Sequence, residues 1–248
     1  MRSRIGILVY KKLFSNKFSI WGLLFLPIKK FMRGIVIKKN GKVLDVGTGA
    51  GGWLLVLKGL GMEGYGLDPS KEAVKVAKKA GLKVKEGTLG SVRYPNNFFD
   101  VITLHNVIEH VHDPVKDLIE LRRILKPGGI LIMYTPNTDS LFFKLLREDW
   151  PHLGVPQHLN LFSNKTLNRL SRKVDIYSVK KRYITEPRMI LMGLGIWLRK
   201  LFGLKIKSKH ESRLYHKQFS AFYLLPFCWI IDFFKKSDAI EVYFKKPL

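Results

Sequence analysis

The chain has 248 residues, 46% hydrophobic and 25% charged, a globular composition long enough for one α/β domain with additions. Forty-four Lys and Arg against 19 Asp and Glu give a net charge of +25. Cys228 is the only cysteine, which excludes an internal disulfide and accords with a reducing cytoplasm.

Charge is unevenly spread. Residues 1–44 carry eleven basic and no acidic side chains, residues 45–171 are nearly neutral at +3, and residues 172–248 return to +11. The basic start lacks a clean apolar run followed by a small-residue cleavage site, so no signal peptide is expected. The reading is a basic amphipathic arm over 1–41 and a main domain over 42–248. That domain divides into a core at 42–137, an insertion at 138–172 and basic amphipathic segments at 187–236 before a last strand.

In chain order, Lys42–Val46 is a β-rich run and predicts a buried strand, and Ala50–Leu60 predicts a helix. "EGYGLD", Glu63–Asp68, is a second strand ending in an acid. Ser70 caps the helix of "SKEAVKVAKKAG", which stops at Gly81 with lysines in its last turn. "LKVKEG" is a third strand and "FDVITL", Phe99–Leu104, a fourth. A helix runs from Pro114 to Leu125 and is closed by "KPGG", and "ILIMYTP", Ile130–Pro136, is a fifth strand. Strands alternating with helices imply βαβ units and a parallel sheet. Ligands of such sheets bind beyond the carboxyl ends of the strands.

Gly47, Gly49 and Gly51 follow the first strand, where glycine lets the chain turn and a ligand touch backbone. Gly47-x-Gly49-x-x-Gly52 also satisfies the dinucleotide fingerprint, so the glycines alone leave both nucleotide classes open. Asp68 stands where an acid accepts from ribose hydroxyls, which again fits either class. Asp45 separates them. A carboxylate at that strand end repels a pyrophosphate but suits the ammonium and sulfonium of S-adenosyl-L-methionine.

"VLDVGTGAGGWL", "GYGLDPS", "KEGTLGSVRYPNNFFDVITLHNVIEHVHDP" and "ELRRILKPGGILIMYTPN" together resemble class I S-adenosylmethionine-dependent methyltransferases, over roughly residues 42 to 172. The nearest branch is that of ubiquinone-biosynthesis-type O-methyltransferases. The resemblance implies a Rossmann-like α/β fold: a seven-stranded, mostly parallel sheet with helices on both faces and its last strand antiparallel. "IYSVKKRYI" suits the sixth strand and "AIEVYFKKP" the seventh. By position, Asp45, Gly47, Thr48, Gly49 and Gly51 would hold the methionine end, Asp68 the ribose, and Pro69 the adenine. Gly87, Thr88 and Leu89 would read the adenine edge, although many relatives carry an acid where Thr88 stands. Leu104 and His105 would pass the methionine and sulfur.

"HNVIEHVHDP" clusters His105, His110 and His112 with Glu109 and Asp113. Methyl transfer to a hydroxyl needs an aligned nucleophile and a proton acceptor, and imidazole, with an unperturbed pKa near ~6.5, is suited to that. His110 matches the family's Glu-His pair and is the first choice as base, with Glu109 beside it. In some ubiquinone-pathway relatives two acids and this histidine bind a divalent metal. Asn106 replaces the first acid, so no metal is expected. "DWPHLGVPQHLNLF" supplies His158, a second catalytic candidate, with Trp150 and His152 as further substrate-facing candidates, and its aromatic and proline residues are expected to form a lid. Ser163 caps the helix that follows.

The basic ends interleave Trp21, Phe25, Trp197, Phe202 and Trp229 with lysines. Their apolar runs, such as the thirteen residues Phe219–Ile231, fall short of the ~20 a spanning helix needs. They suit helices lying in a bilayer interface. Being rich in Leu, Ile and Phe rather than Arg, Gly and Ser, they favour an anionic membrane surface over nucleic acid as partner. The expectation is therefore a cytoplasmic enzyme at the membrane face, methylating a small or lipid-linked acceptor, preferably on oxygen. The alternatives are an RNA methyltransferase, and a nicotinamide oxidoreductase or inactive binding module.

Overall fold

A computed structural model describes residues 34–36, 38–203 and 223–248. Most of the expected N-terminal arm, with Trp21 and Phe25, and the stretch 204–222 of the C-terminal segments lie outside the described residues.

Seven strands form one sheet in the order β3-β2-β1-β4-β5-β7-β6. They are β1 Lys42–Val46, β2 Glu63–Asp68, β3 Lys83–Glu86, β4 Phe99–His105, β5 Leu125–Pro136, β6 Tyr177–Ile184 and β7 Ala239–Lys245. β1 pairs in parallel with both β2 and β4, and β4 with β5. β7 lies between β5 and β6 and is antiparallel to both, as expected for the last strand. β3 and β6 are the two edges. The strand order reverses between β1 and β4, the place where an open α/β sheet leaves a crevice.

Alternation sorts the strands into two layers. Leu44, Ile102, Leu131 and Val242 face one way, onto Leu118 and Leu121 of α3 (Pro114–Ile124) and Leu167 of α5 (Asn164–Lys173). Val43, Val101, Ile132 and Tyr243 face the other, onto α1 (Gly52–Gly59) and α2 (Lys71–Lys79). Ile35 and Val36 pack on this second layer, so the core reaches into the segment read as an arm. There Gly34 donates its N–H to Glu241 Oε1 at 2.8 Å, and the fully buried Glu241 also receives Arg182 and the Tyr243 hydroxyl.

Caps stand at Ser70 and Ser163 as expected, and also at Asp113. The Ser70 hydroxyl accepts from Ala73 N, the Asp113 carboxylate from Val115 N and Lys116 N, and Ser163 forms a capping box with Thr166. One boundary differs. "KPGG" lies inside β5, which begins at Leu125 immediately after α3. Its extra residues are absorbed by an irregularity in pairing, Phe99 with Leu125 but Val101 with Ile130, and Gly128 turns at φ 71°.

The insertion contributes α4 (Leu141–Leu146), two single-turn 3-10 helices (Arg147–Asp149 and Pro151–Leu153) and then α5. α4 packs with α6 (Pro187–Leu201) and α7 (Leu225–Phe233) around a satellite core of Phe142, Leu146, Trp150, Ile190 and Cys228.

Candidate cofactor cleft and active site

Beyond the carboxyl ends of β1, β2 and β3 lies a cleft of about 650 Å³. One wall is Val46 and Gly47, then Asp68 and Pro69, then Gly87 to Gly90. The other is the β4–α3 loop, with Asn106, Val107 and His110 to Asp113, and the first turn of α3, with Lys116 and Asp117.

The glycine loop is held by backbone. Gly47 N and Thr48 N both donate to Leu67 O, at 2.8 and 3.2 Å. Gly49 N donates to Asp68 Oδ2 at 2.7 Å, and Ser70 N to Asp68 Oδ1 at 2.9 Å. Asp68 is thereby fixed on two elements with lone pairs remaining on both oxygens. The three glycines have different reasons. A Cβ on Gly47 would lie 2.5 Å from Val107, and one on Gly51 2.4 Å from Leu82, so these two permit close packing. Gly49, at φ 56°, has nothing within 4 Å of that position and opens onto free space. Gly66 of β2 escaped the sequence reading. Its missing side chain makes room for Thr48, Leu54 and Val84 beneath the loop, and a glycine inside a strand was the available signal.

Asp45 is placed differently from the open strand mouth the sequence suggested. It is buried, on the face of β1 opposite the cleft-lining Val46, and Thr103 Oγ1 of neighbouring β4 donates to its Oδ1 at 2.6 Å. Leu104 is packed in the first core layer rather than in the cleft wall. His105 points to the other face of β4, stacks on Tyr134 at 5.5 Å and brings Nε2 within 4.0 Å of Glu241 Oε1. Thus Gly47, Asp68, Pro69, Gly87, Thr88, Leu89 and His110 meet in one cleft, while Asp45 and Leu104 are buried, Gly51 packs against Leu82, and His105 stacks on Tyr134.

The catalytic candidates converge. His110 is exposed at the cleft, and its Nδ1 lies 2.9 Å from the Gln157 carbonyl. A carbonyl only accepts, so Nδ1 carries the hydrogen and the neutral ring presents a lone pair at Nε2. His158 packs edge-on against His110 with 4.8 Å between ring centroids, and its Nδ1 lies 2.8 Å from the His152 carbonyl. Gly154 allows this, because a Cβ there would lie 2.3 Å from His158 Nδ1. Glu109 is buried, and its Oε2 accepts from Thr135 Oγ1 at 3.0 Å. Burial raises its carboxyl above the ordinary range, against the lowering effect of its own backbone N–H, Thr135 and His110. Its carbonyl accepts from Leu159 N and Asn160 N, and Asn160 Nδ2 donates to Val111 O at 2.6 Å. These bonds clamp the insertion onto the His110 loop. The donor atoms of Glu109, His110 and His158 lie within 4.8 Å of one another, a set able to take a metal ion in which His158 supplies the third group that Asn106 does not.

Trp150 is not a lid. It is buried in the satellite core, and its Nε1 donates to Asp238 Oδ1 at 3.2 Å. Lys116 and Asp117 line the cleft without having been singled out; Asp113, as cap of α3, was the signal that would have placed them there. Burial, then neighbouring Asp113, raises the Asp117 carboxyl.

A family described as "Methyltransferase domain" matches residues 23–180. An uncharacterised methyltransferase of Schizosaccharomyces pombe is 33% identical over 170 residues, covering 60% of this chain and 59% of the relative. A demethylmenaquinone methyltransferase of Geobacillus stearothermophilus is 35% identical over 124 residues, covering 46% and 53%. The chain therefore spans little more than half the length of these curated relatives. Among solved structures, an S-adenosylmethionine-dependent methyltransferase of Thermotoga maritima superposes with TM-score 0.56 at 19% identity, covering 91% and 94%. Phosphoethanolamine N-methyltransferase 2 of Haemonchus contortus, in complex with S-adenosyl-L-methionine, superposes with TM-score 0.57 at 20% identity, covering 98% of this chain and 57% of that one. At such identities these two share the fold. The match to more than half of the chain places it in the methyltransferase-domain family, and its fold and cofactor class are those of the class I S-adenosylmethionine-dependent methyltransferases.

Proposed function

We propose that this protein transfers a methyl group to a hydroxyl of a small, apolar, lipid-linked acceptor. The observation that carries the reading is His110. Its ring lines the same cleft as Asp68 and Thr88, with Nδ1 tied to Gln157 and the basic nitrogen Nε2 left for the acceptor.

The cleft suits the cofactor. Asp68 presents remaining lone pairs to ribose hydroxyls, Pro69 and Leu89 offer apolar surface to a purine, and the backbone around Thr88 can read its edge. Thr48 Oγ1 is buried without a hydrogen-bond partner among the described residues, a free polar group in the glycine loop. When bound, S-adenosylmethionine supplies an electrophilic methyl group on sulfur. In that complex His110 Nε2 would accept the acceptor's hydroxyl proton, and Glu109, tied to Thr135 and to the insertion, would hold the loop that carries the ring. His158 fixes the ring from the side. The relatives named demethylmenaquinone methyltransferases support an acceptor of small, ring-bearing, lipid-soluble type.

The test is incubation of the full chain with isotope-labelled methyl donor and separate lipid, small-molecule and RNA fractions. Label is expected in the lipid fraction, and to vanish with His110→Ala. Label in RNA alone would move the assignment to an RNA methyltransferase.

A further inference from the structure

We infer that the outward faces of α6 and α7 form a docking surface for an anionic lipid bilayer. The inference deepens the preceding reading, on which it rests for the lipid-linked acceptor.

α6 is apolar on two sides. Met189, Ile190 and Gly193 are buried toward Phe142 and the satellite core. Leu194, Trp197, Leu198 and Leu201, at helical spacing i, i+3, i+4 and i+7, are exposed. α7 repeats the arrangement. Cys228 and Asp232 point inward, while Phe227, Trp229, Ile230 and Phe233 point outward. Phe202 and Phe233 are 70% and 79% exposed. A helix with apolar residues all round normally lies inside a core. Two adjacent ones that each leave a row of large apolar side chains exposed mark an interaction site.

Charge selects the occupant. Residues 187–203 and 223–236 hold five Lys or Arg and one acid, Asp232, which is buried and accepts from Ser237 Oγ at 2.5 Å. Arg188 pairs with Glu186 and Lys200 with Glu148 and Asp149, so Lys235 and Lys236 at the end of α7 and the net charge of +25 carry the positive character of this face. A second copy would bring another chain of net charge +25 to the contact, whereas an anionic surface complements it. Length fixes the mode. The 15 residues of α6 span roughly 22 Å at ~1.5 Å per residue, short of a ~30 Å hydrocarbon layer. No helix among the described residues is long and apolar enough to cross a membrane. Rings beside lysines instead suit a helix lying flat at the headgroup boundary. α6 and α7 pack on the insertion that carries His158 to His110, so docking there places lipid against the element that frames the active site.

The full-length protein should co-sediment with vesicles of equal parts phosphatidylcholine and phosphatidylglycerol and not with pure phosphatidylcholine, and salt should weaken binding. Replacing exposed rings together, Trp197→Ser, Phe202→Ser and Phe233→Ser, should lower the partition coefficient roughly tenfold or more. Val76→Ser with Ile119→Ser, exposed on α2 and α3, should change nothing. Unchanged melting and cofactor titration in each variant separate a failure of docking from a failure of the methyltransferase reading. Equal recovery with both vesicles, no recovery with either, or full binding by the triple variant would overturn the inference. So would a dimer that the triple variant abolishes in a protein that ignores vesicles.

Discussion

The indole of Trp150 donates to Asp238 across 3.2 Å and so fastens the insertion to the residue preceding β7. The arrangement costs stability at neutral pH. Burial, assisted by Asp232 and Glu186, pushes the Asp238 carboxyl up to about 6. Its unfolded value is near ~3.9, so the folded chain holds the extra proton between the two. Stability is greatest below the lower value, falls as pH rises through about 6, and is flat above. Asp238→Asn keeps an acceptor for Trp150 and removes the charge. It should raise stability at pH 8 by up to about 3 kcal/mol, with the difference vanishing toward pH 4. Denaturant melts at the two pH values measure this; lower stability at pH 8 would mean that the tie to Trp150 needs an ionised carboxylate.

Asp100, at the other end of β4, has the opposite sign. Burial pushes its carboxyl up, but Lys38, Lys126 and the backbone N–H of Lys42 outweigh it and hold it at about 2. Its stabilisation is present above the unfolded carboxylate value and lost as pH falls through about 2. Asp100→Asn should cost about 1–2 kcal/mol at pH 7, discounted for the exposure of Lys38, and almost nothing near pH 2.

Cofactor affinity should depend on Asp68. Asp68→Ala should weaken S-adenosylmethionine and its demethylated product by about 1–3 kcal/mol each in calorimetry. Because Gly49 N and Ser70 N also rest on this carboxylate, Asp68→Asn should recover part of the folding stability but less of the affinity. Tight binding of a nicotinamide dinucleotide without S-adenosylmethionine would contradict the role given to the cleft.

His110→Ala should lower turnover by ~10²–10⁴ with cofactor affinity nearly unchanged. Loss of cofactor binding instead would make the ring a brace for the β4–α3 loop. A chelator distinguishes a further role. Activity lost on chelation and restored by a divalent cation would make Glu109, His110 and His158 ligands rather than a base and its supports.

Gly154→Ala tests the pairing of the two histidines. Its φ of 64° disfavours any side chain, and the added Cβ would meet the His158 ring. Turnover should fall while cofactor titration stays the same. Unchanged turnover would remove His158 from the site.

The strands, the antiparallel last strand that the resemblance implied and the caps at Ser70 and Ser163 were legible because each is written in local periodicity, in motif order or in a single capping residue; the strand order and the cap at Asp113 were not read. Asp68 was legible for the same reason, as the acid that closes a strand. The glycines were only partly so. A motif gives their spacing, but whether Leu82, Val107 or open space stands opposite is a tertiary fact. Asp45 was read as a mouth residue because the sequence does not reveal Thr103 on the adjacent strand. The meeting of His110 and His158 depends on bonds from Leu159, Asn160 and Gln157 back to the β4–α3 loop, which no local pattern encodes. Trp150 looked like a lid because an aromatic beside prolines reads alike in a loop and in a satellite core.

The two edges of the sheet, β3 and β6, are where unpaired backbone could recruit a strand from another molecule. β3 is four residues long and carries Lys83 and Lys85; β6 carries Lys180 and Lys181, while its Arg182 turns inward onto the buried Glu241. Each edge is blunted, one by shortness and both by cationic side chains that a growing intermolecular sheet would have to stack against their like. Part of the chain's large positive surplus thus protects it from fibrous self-association, and neutralising those lysines would expose that hazard.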